Sequence, residues 1–141
     1  DLNEIANLRI LLECHALKES LQNGDDDWEA DVAGAYHKLS TTEAVMKNGN
    51  GAGLETWKEY DWQFHLSLIR ACNSTNLLGL HATLFGKYLR YQILVLTYRG
   101  EVARQEHKAL FEAAIARDAN AATKLLTQHI MNGLTHTLEY M

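Results

Sequence analysis

Trp57-Lys58-Glu59-Tyr60-Asp61-Trp62-Gln63-Phe64-His65-Leu66-Ser67-Leu68 is the stretch from which the fold is read. The apolar residues in and around it recur as Leu54, Trp57, Phe64, Leu68 and Cys72, the spacing of a helix with one buried stripe. Asp61 and His65 fall on that stripe, four apart, so their side chains leave successive turns in the same direction. A carboxylate turned toward a core is costly unless it is paired or bound to a metal. That misplaced pair is the first mark of a functional site.

Working outward, the same periodicity gives helices over 1–22, 27–47, 54–72, 76–98 and 101–117, and a sixth capped by Asp118. Asn23-Gly24 ends the first helix, and Asp25-Asp26-Asp27 puts negative charge at the start of the second, where the macrodipole favours it. Asn48 to Gly53 is a glycine-rich loop, and Asn73-Ser74-Thr75 ends helix three and caps helix four. Helix four is apolar nearly all round, with Leu77, Leu78, Leu80, Leu84, Phe85, Leu89 and Ile93 to Leu96, as in a central or interface helix. The chain has no proline and no competing strand pattern. These features predict an all-α antiparallel bundle of about six helices forming one domain, residues 1–141.

The bulk numbers remove several function classes. Thirteen basic residues against eighteen acidic ones leave a formal charge of −5, which is no footprint for nucleic acid. Cys14 and Cys72 fit neither a disulfide nor a metal spacing and read as free thiols of a reducing compartment. No apolar run approaches the roughly 18–20 residues of a membrane span. The expectation is a cytoplasmic protein with no membrane partner. Because the chain starts at Asp1 and not at methionine, a preceding domain is also expected.

Two more histidines share the position of His65. His107 lies on the helix-five stripe between Ala103 and Leu110-Phe111, and His129 on the helix-six stripe between Leu125-Leu126 and Ile130. Each is eleven residues from the turn at Asp118, so both lie roughly 16 Å below it at 1.5 Å per residue. His65 lies nine residues before Ser74, at nearly the same depth if helix four returns the chain. Taken singly, each histidine reads as a hydrogen-bonded core residue. Three imidazoles and Asp61 in one layer read as a site for a divalent first-row metal, with zinc first and nickel, manganese or iron(II) after it. His15, His37, His81 and His136 lack this matching, although His136 follows His129 by two turns. Arg9 and Glu13 flank the first stripe four apart, where the plain reading is a solvated ion pair.

The runs Asp61-x-x-Phe64-His65, Asn76-x-x, Glu106-His107-x-x-Leu110, Ala114-Ile115-x-x-Asp118 and His129-Ile130, with Arg9-x-x-Leu12-Glu13 before them, resemble the FCD domain over residues 4–132. This is the effector-binding and dimerisation domain of GntR-family bacterial transcription regulators related to the fatty-acid regulator. The resemblance implies that Asp61, His65, His107 and His129 hold a divalent metal. It also implies that the effector is a small organic acid bound with help from Arg9, with Asn76 and Arg90 matching polar positions that face the cavity. It implies a homodimer, and DNA contact only through a winged-helix domain preceding Asp1. The chain departs from the family after Glu13, in Cys14-His15-Ala16-Leu17-Lys18, and in its glycine-rich loop.

The expected function is therefore a sensor and not an enzyme. The competing enzyme reading is a metal-dependent hydrolase with an Asp/His3 site. Against it, no inward glutamate or lysine offers a general base, and Glu106 points about 100° away from His107 on its helix. A third reading is a purely structural helical interaction module with the histidines as core.

Overall fold

The computed structural model describes residues 1–46, 53–95 and 99–140. Among them lie six helices, α1 (Leu2–Asn23), α2 (Asp26–Met46), α3 (Leu54–Ile69), α4 (Thr75–Val95), α5 (Glu101–Ile115) and α6 (Ala119–Glu139). A 3-10 turn at Arg70–Cys72 follows α3. The glycine-rich loop lies outside the described residues except for Gly53. So do the expected end of helix four beyond Val95 and the side chains of Ile93 to Leu96. No helix among the described residues is long and apolar enough to cross a membrane.

The helix ends follow local chemistry. Asp25 accepts from the Trp28 backbone N–H, Ser74 from Leu77, and Asp118 from Ala121, each satisfying a donor that a helix start leaves open. Helix α1 has Asp1 at its N-cap, making no side-chain cap bond. Gly24 has an ordinary φ of −65°. A Cβ there would stand 2.6 Å from the Trp28 ring and 2.7 Å from the Ser20 carbonyl, so close approach fixes the glycine. Arg117, at φ 59°, donates to the Leu21 and Gly24 carbonyls and to Glu29, and lies 4.7 Å from the Trp28 ring. It joins the α5–α6 turn to the α1–α2 corner.

Packing centres on α1, which meets α3, α4 and α6, while α2 meets α3 and α5, and α5 meets α6. Leu17, Leu39, Phe64, Leu68, Leu110, Leu126 and Ile130 are fully buried between these helices. Each such side chain contributes roughly 1.5–3 kcal/mol by burial. This apolar packing surrounds a polar layer to which α1, α2, α3, α5 and α6 all contribute.

Candidate functional site

Asp61, His65, His107 and His129 are buried, and one ligand atom from each lies within 4.8 Å of all the others. The ring centroids are 4.6 Å apart for His107 and His129, 5.3 Å for His65 and His129, and 6.0 Å for His65 and His107. The depth argument from the two turns thus brings the four groups together, and α4 does return the chain.

Each imidazole is oriented by a carboxylate behind it. His65 Nδ1 is 3.0 Å from Glu13, His107 Nδ1 is 2.9 Å from Glu43, and His129 Nδ1 is 2.7 Å from Glu106. An ionised carboxylate only accepts, so each Nδ1 carries the proton and each Nε2 is turned to the other side. There Asp61 Oδ1 stands 3.2 Å from His107 Nε2 and 3.5 Å from His65 Nε2. Asp61 Oδ1 and His107 Nε2 are buried, and neither forms an aligned hydrogen bond among the described residues. Carboxylate behind imidazole, with the free nitrogens converging, is the arrangement that fixes histidine ligands around a metal.

Three of these carboxylates were not expected at the site. Glu43 also accepts from the Trp57 indole at 3.1 Å, and Glu13 also accepts from Arg9 Nε at 2.6 Å. The solvated reading of the Arg9–Glu13 pair is overturned, because both are at most 2% exposed. Glu106 does point away from His107, but it reaches across to His129 on α6, where Arg99 and Asn132 also donate to it. The sequence reading found no inward glutamate to serve as a general base; three glutamates do stand at the site, each committed to an imidazole.

The electrostatics follow from this packing. Burial opposes the charged form of His107, but Glu43 and Asp61 outweigh it and push its pKa up to about 10. His65 is raised in the same way, against burial, by Asp61 and Glu13. His129 is lowered to about 3, first by burial and then by the charges of His107 and His65, which outweigh its bond to Glu106. Burial raises Asp61, yet His65 and His107 hold it well below the usual carboxylate range. With the imidazoles neutral, four carboxylates face two guanidiniums, Arg9 and Arg99, leaving two negative charges without a counter-ion. A divalent cation balances that excess, so charge and donor set both fit a metal.

The four groups line a cavity of about 30 Å³ together with Arg9, Trp57, Tyr88, Arg99, Ala103, Ile130, Gly133, His136 and Thr137. That is room for roughly two water molecules. Arg9 lies 4.4 Å from the Phe85 ring and 4.6 Å from that of Tyr88, and its buried Nη2 makes no hydrogen bond among the described residues. Asn76 and Arg90 are exposed on α4 and do not line the cavity. The face of α4 turned inward carries His81, Phe85 and Tyr88, and Arg90 lies about 200° around the helix from Tyr88. Arg99 lines the cavity instead. Nothing in its own helical pattern marks it, because it precedes α5. His136, two turns after His129 and outside the set matched in the sequence, also lines the cavity.

Comparison with known proteins identifies the family and the fold. The chain is 34% identical over 137 residues to the HTH-type transcriptional regulator BphR of Paraburkholderia xenovorans (strain LB400), a match covering 96% of the chain and 56% of that protein. It is 30% identical over 137 residues to the HTH-type transcriptional repressor GlaR of Escherichia coli (strain K12), covering 93% and 61%. The chain thus spans little more than half the length of these curated relatives. Its fold is shared with the metal-free FCD domain of TM0439, at TM-score 0.80 and 21% identity over 99% of the chain and 92% of that structure. E. coli McbR/YncC gives TM-score 0.83 at 18% identity, over 99% of the chain and 69% of the other. The profile described as the FCD domain matches residues 4–132, and the chain belongs to that family.

Proposed function

We propose that the chain is the ligand-sensing and dimerisation domain of a GntR-family transcription regulator. It would take a small organic acid beside a divalent metal held by Asp61, His65, His107 and His129. The observation that carries this reading is the buried set of four ligands, with every histidine backed by a carboxylate. Nitrogen donors with one oxygen suit zinc first, then nickel, manganese or iron(II). When bound, the cation supplies a positive centre that attracts a carboxylate.

The chain's own residues supply the rest of the effector site. Arg9 offers Nη2 from a position stacked on Phe85 and Tyr88, and Arg99 offers a second guanidinium. Charge-assisted contacts of this kind are strong where water is excluded. Trp57, Ala103 and Ile130 form apolar wall. An organic acid outgrows a cavity of about 30 Å³, so its entry requires side chains such as Arg99 to move. This couples binding to a shift in local structure. Dimerisation would use α1 and α4, where Leu11 and Leu80 are exposed. DNA would be reached through a winged-helix domain in a longer, cytoplasmic protein.

Metal analysis of the purified chain beside an Asp61→Ala, His107→Ala double variant tests the metal. Near-stoichiometric divalent metal in the wild type and none in the variant is expected. No uptake by either, after incubation with zinc, nickel and manganese, would remove the metal from the reading. Thermal-shift screening of organic acids against wild type and Arg9→Ala then tests the effector half.

A further inference from the structure

Glu13 is approached from three helices. Arg9 on α1 donates to Oε2 at 2.6 Å, and His65 on α3 meets Oε1 through Nδ1 at 3.0 Å. His81 on α4 stands with Nε2 3.1 Å from Oε2. His81 is fully buried, and neither ring nitrogen makes an aligned hydrogen bond among the described residues. Its ring stacks on Trp62, with centroids 5.7 Å apart at 15°, and packs against Phe85 at 5.5 Å. A buried imidazole carries a desolvation cost that a leucine in the same space would avoid. Packing alone therefore does not account for histidine here, whereas its approach to Glu13 does.

We propose that His81 is a positioning residue for the metal site: held by Trp62 and Phe85, it anchors Glu13, which in turn orients His65. The inference rests on the metal-binding reading above. It makes α4 a polar partner of a site whose ligands all come from α3, α5 and α6. It also places Glu13 under two cationic or proton-donating neighbours, so that Oε1 stays directed at His65 when Arg9 moves toward an effector. His81 itself touches neither metal nor effector.

Cobalt(II) is a suitable probe, because its visible absorption reports ligand geometry as well as occupancy. Affinity, by chelator competition, and band position are compared for wild type, His81→Gln and His81→Leu. The glutamine amide can donate to Glu13 and should keep affinity within about threefold, whereas leucine should weaken it about tenfold and shift the band. Equal affinity and equal spectra across the three overturn the role of His81 alone. A wild type that takes up no cobalt overturns the metal reading, and the role of His81 with it. A leucine variant that does not fold leaves the decision to the wild type, through its His81 ring nitrogen resonances. These should move when zinc is added although His81 is no ligand; resonances that stay in place overturn the inference.

Discussion

His107 holds one of the protons that keep the metal-free site together, and the raised pKa of His65 favours another. His107 titrates at about 10 in the folded chain and near 6.5 when unfolded, so its proton stabilises the fold fully below about pH 6.5. That contribution is lost as pH rises through 10, and the raised His65 acts in the same direction. His129 works oppositely: lowered to about 3, it is buried neutral and costs stability as pH falls below 6.5. Urea unfolding of the chelator-treated chain should therefore show greatest stability near neutrality and a decline from pH 6.5 to 10. A curve still rising across that range would contradict the assigned cation pairs. Glu43 tests the same network by mutation. Glu43→Ala removes the acceptor for His107 Nδ1 and for the Trp57 indole, and should cost about 3 kcal/mol in urea unfolding. At this scale the sequence displayed the four converging residues because each interrupts an apolar stripe at a countable distance from a turn. Glu13, Glu43, Glu106, Arg99 and His81 were not legible as site residues, because their roles depend on which helix faces which. Asn76 and Arg90 were misplaced for the same reason: a motif gives a position on α4 but not the face that α4 turns inward.

The helices themselves were readable to within a residue or two at most ends, since stripes and capping residues are local signals. Asp118 and Ser74 cap as their sequence positions suggest, and every stripe residue within α3 is buried, with Ser67 and Ile69 buried beside them. The 3-10 turn at Arg70–Cys72 was read as the end of a longer helix, because tightening of a last turn leaves the apolar spacing unchanged. Arg117 gave no sequence signal, yet it ties two corners of the bundle that are remote along the chain. It is only about one-third exposed, and it donates to two carbonyls and a carboxylate. Arg117→Ala should cost about 2 kcal/mol, read as a lower urea midpoint at unchanged slope. Lysine should recover only part of this, because a single ammonium cannot reproduce the guanidinium's fork. Full recovery by lysine would reduce the clamp to a simple charge effect.

Across the whole molecule, metal and protons compete for the same inward charge. Among the described residues the site gathers four carboxylates and two guanidiniums, and in the metal-free chain the raised imidazoles of His107 and His65 favour protons that offset the remaining negative charge. A dication at Asp61, His65, His107 and His129 requires the Nε2 nitrogens as lone-pair donors, so those protons must leave. The Nδ1 protons stay, because Glu13, Glu43 and Glu106 hold them. At pH 7 His107, at about 10, begins protonated and His129, at about 3, begins neutral, so zinc binding should release at least one proton and fewer than three. Calorimetric titration of the metal-free chain in buffers of different ionisation enthalpy measures that number directly. A release of one to two protons would mean that protons and metal exchange at one site. Binding without release would mean that the imidazoles are neutral before metal arrives, and that the buried carboxylates are balanced in some other way. The same exchange gives the metal a pH-dependent share in stability: zinc should raise the melting temperature more at pH 9 than at pH 6. Above neutrality it replaces protons that the metal-free fold is already losing.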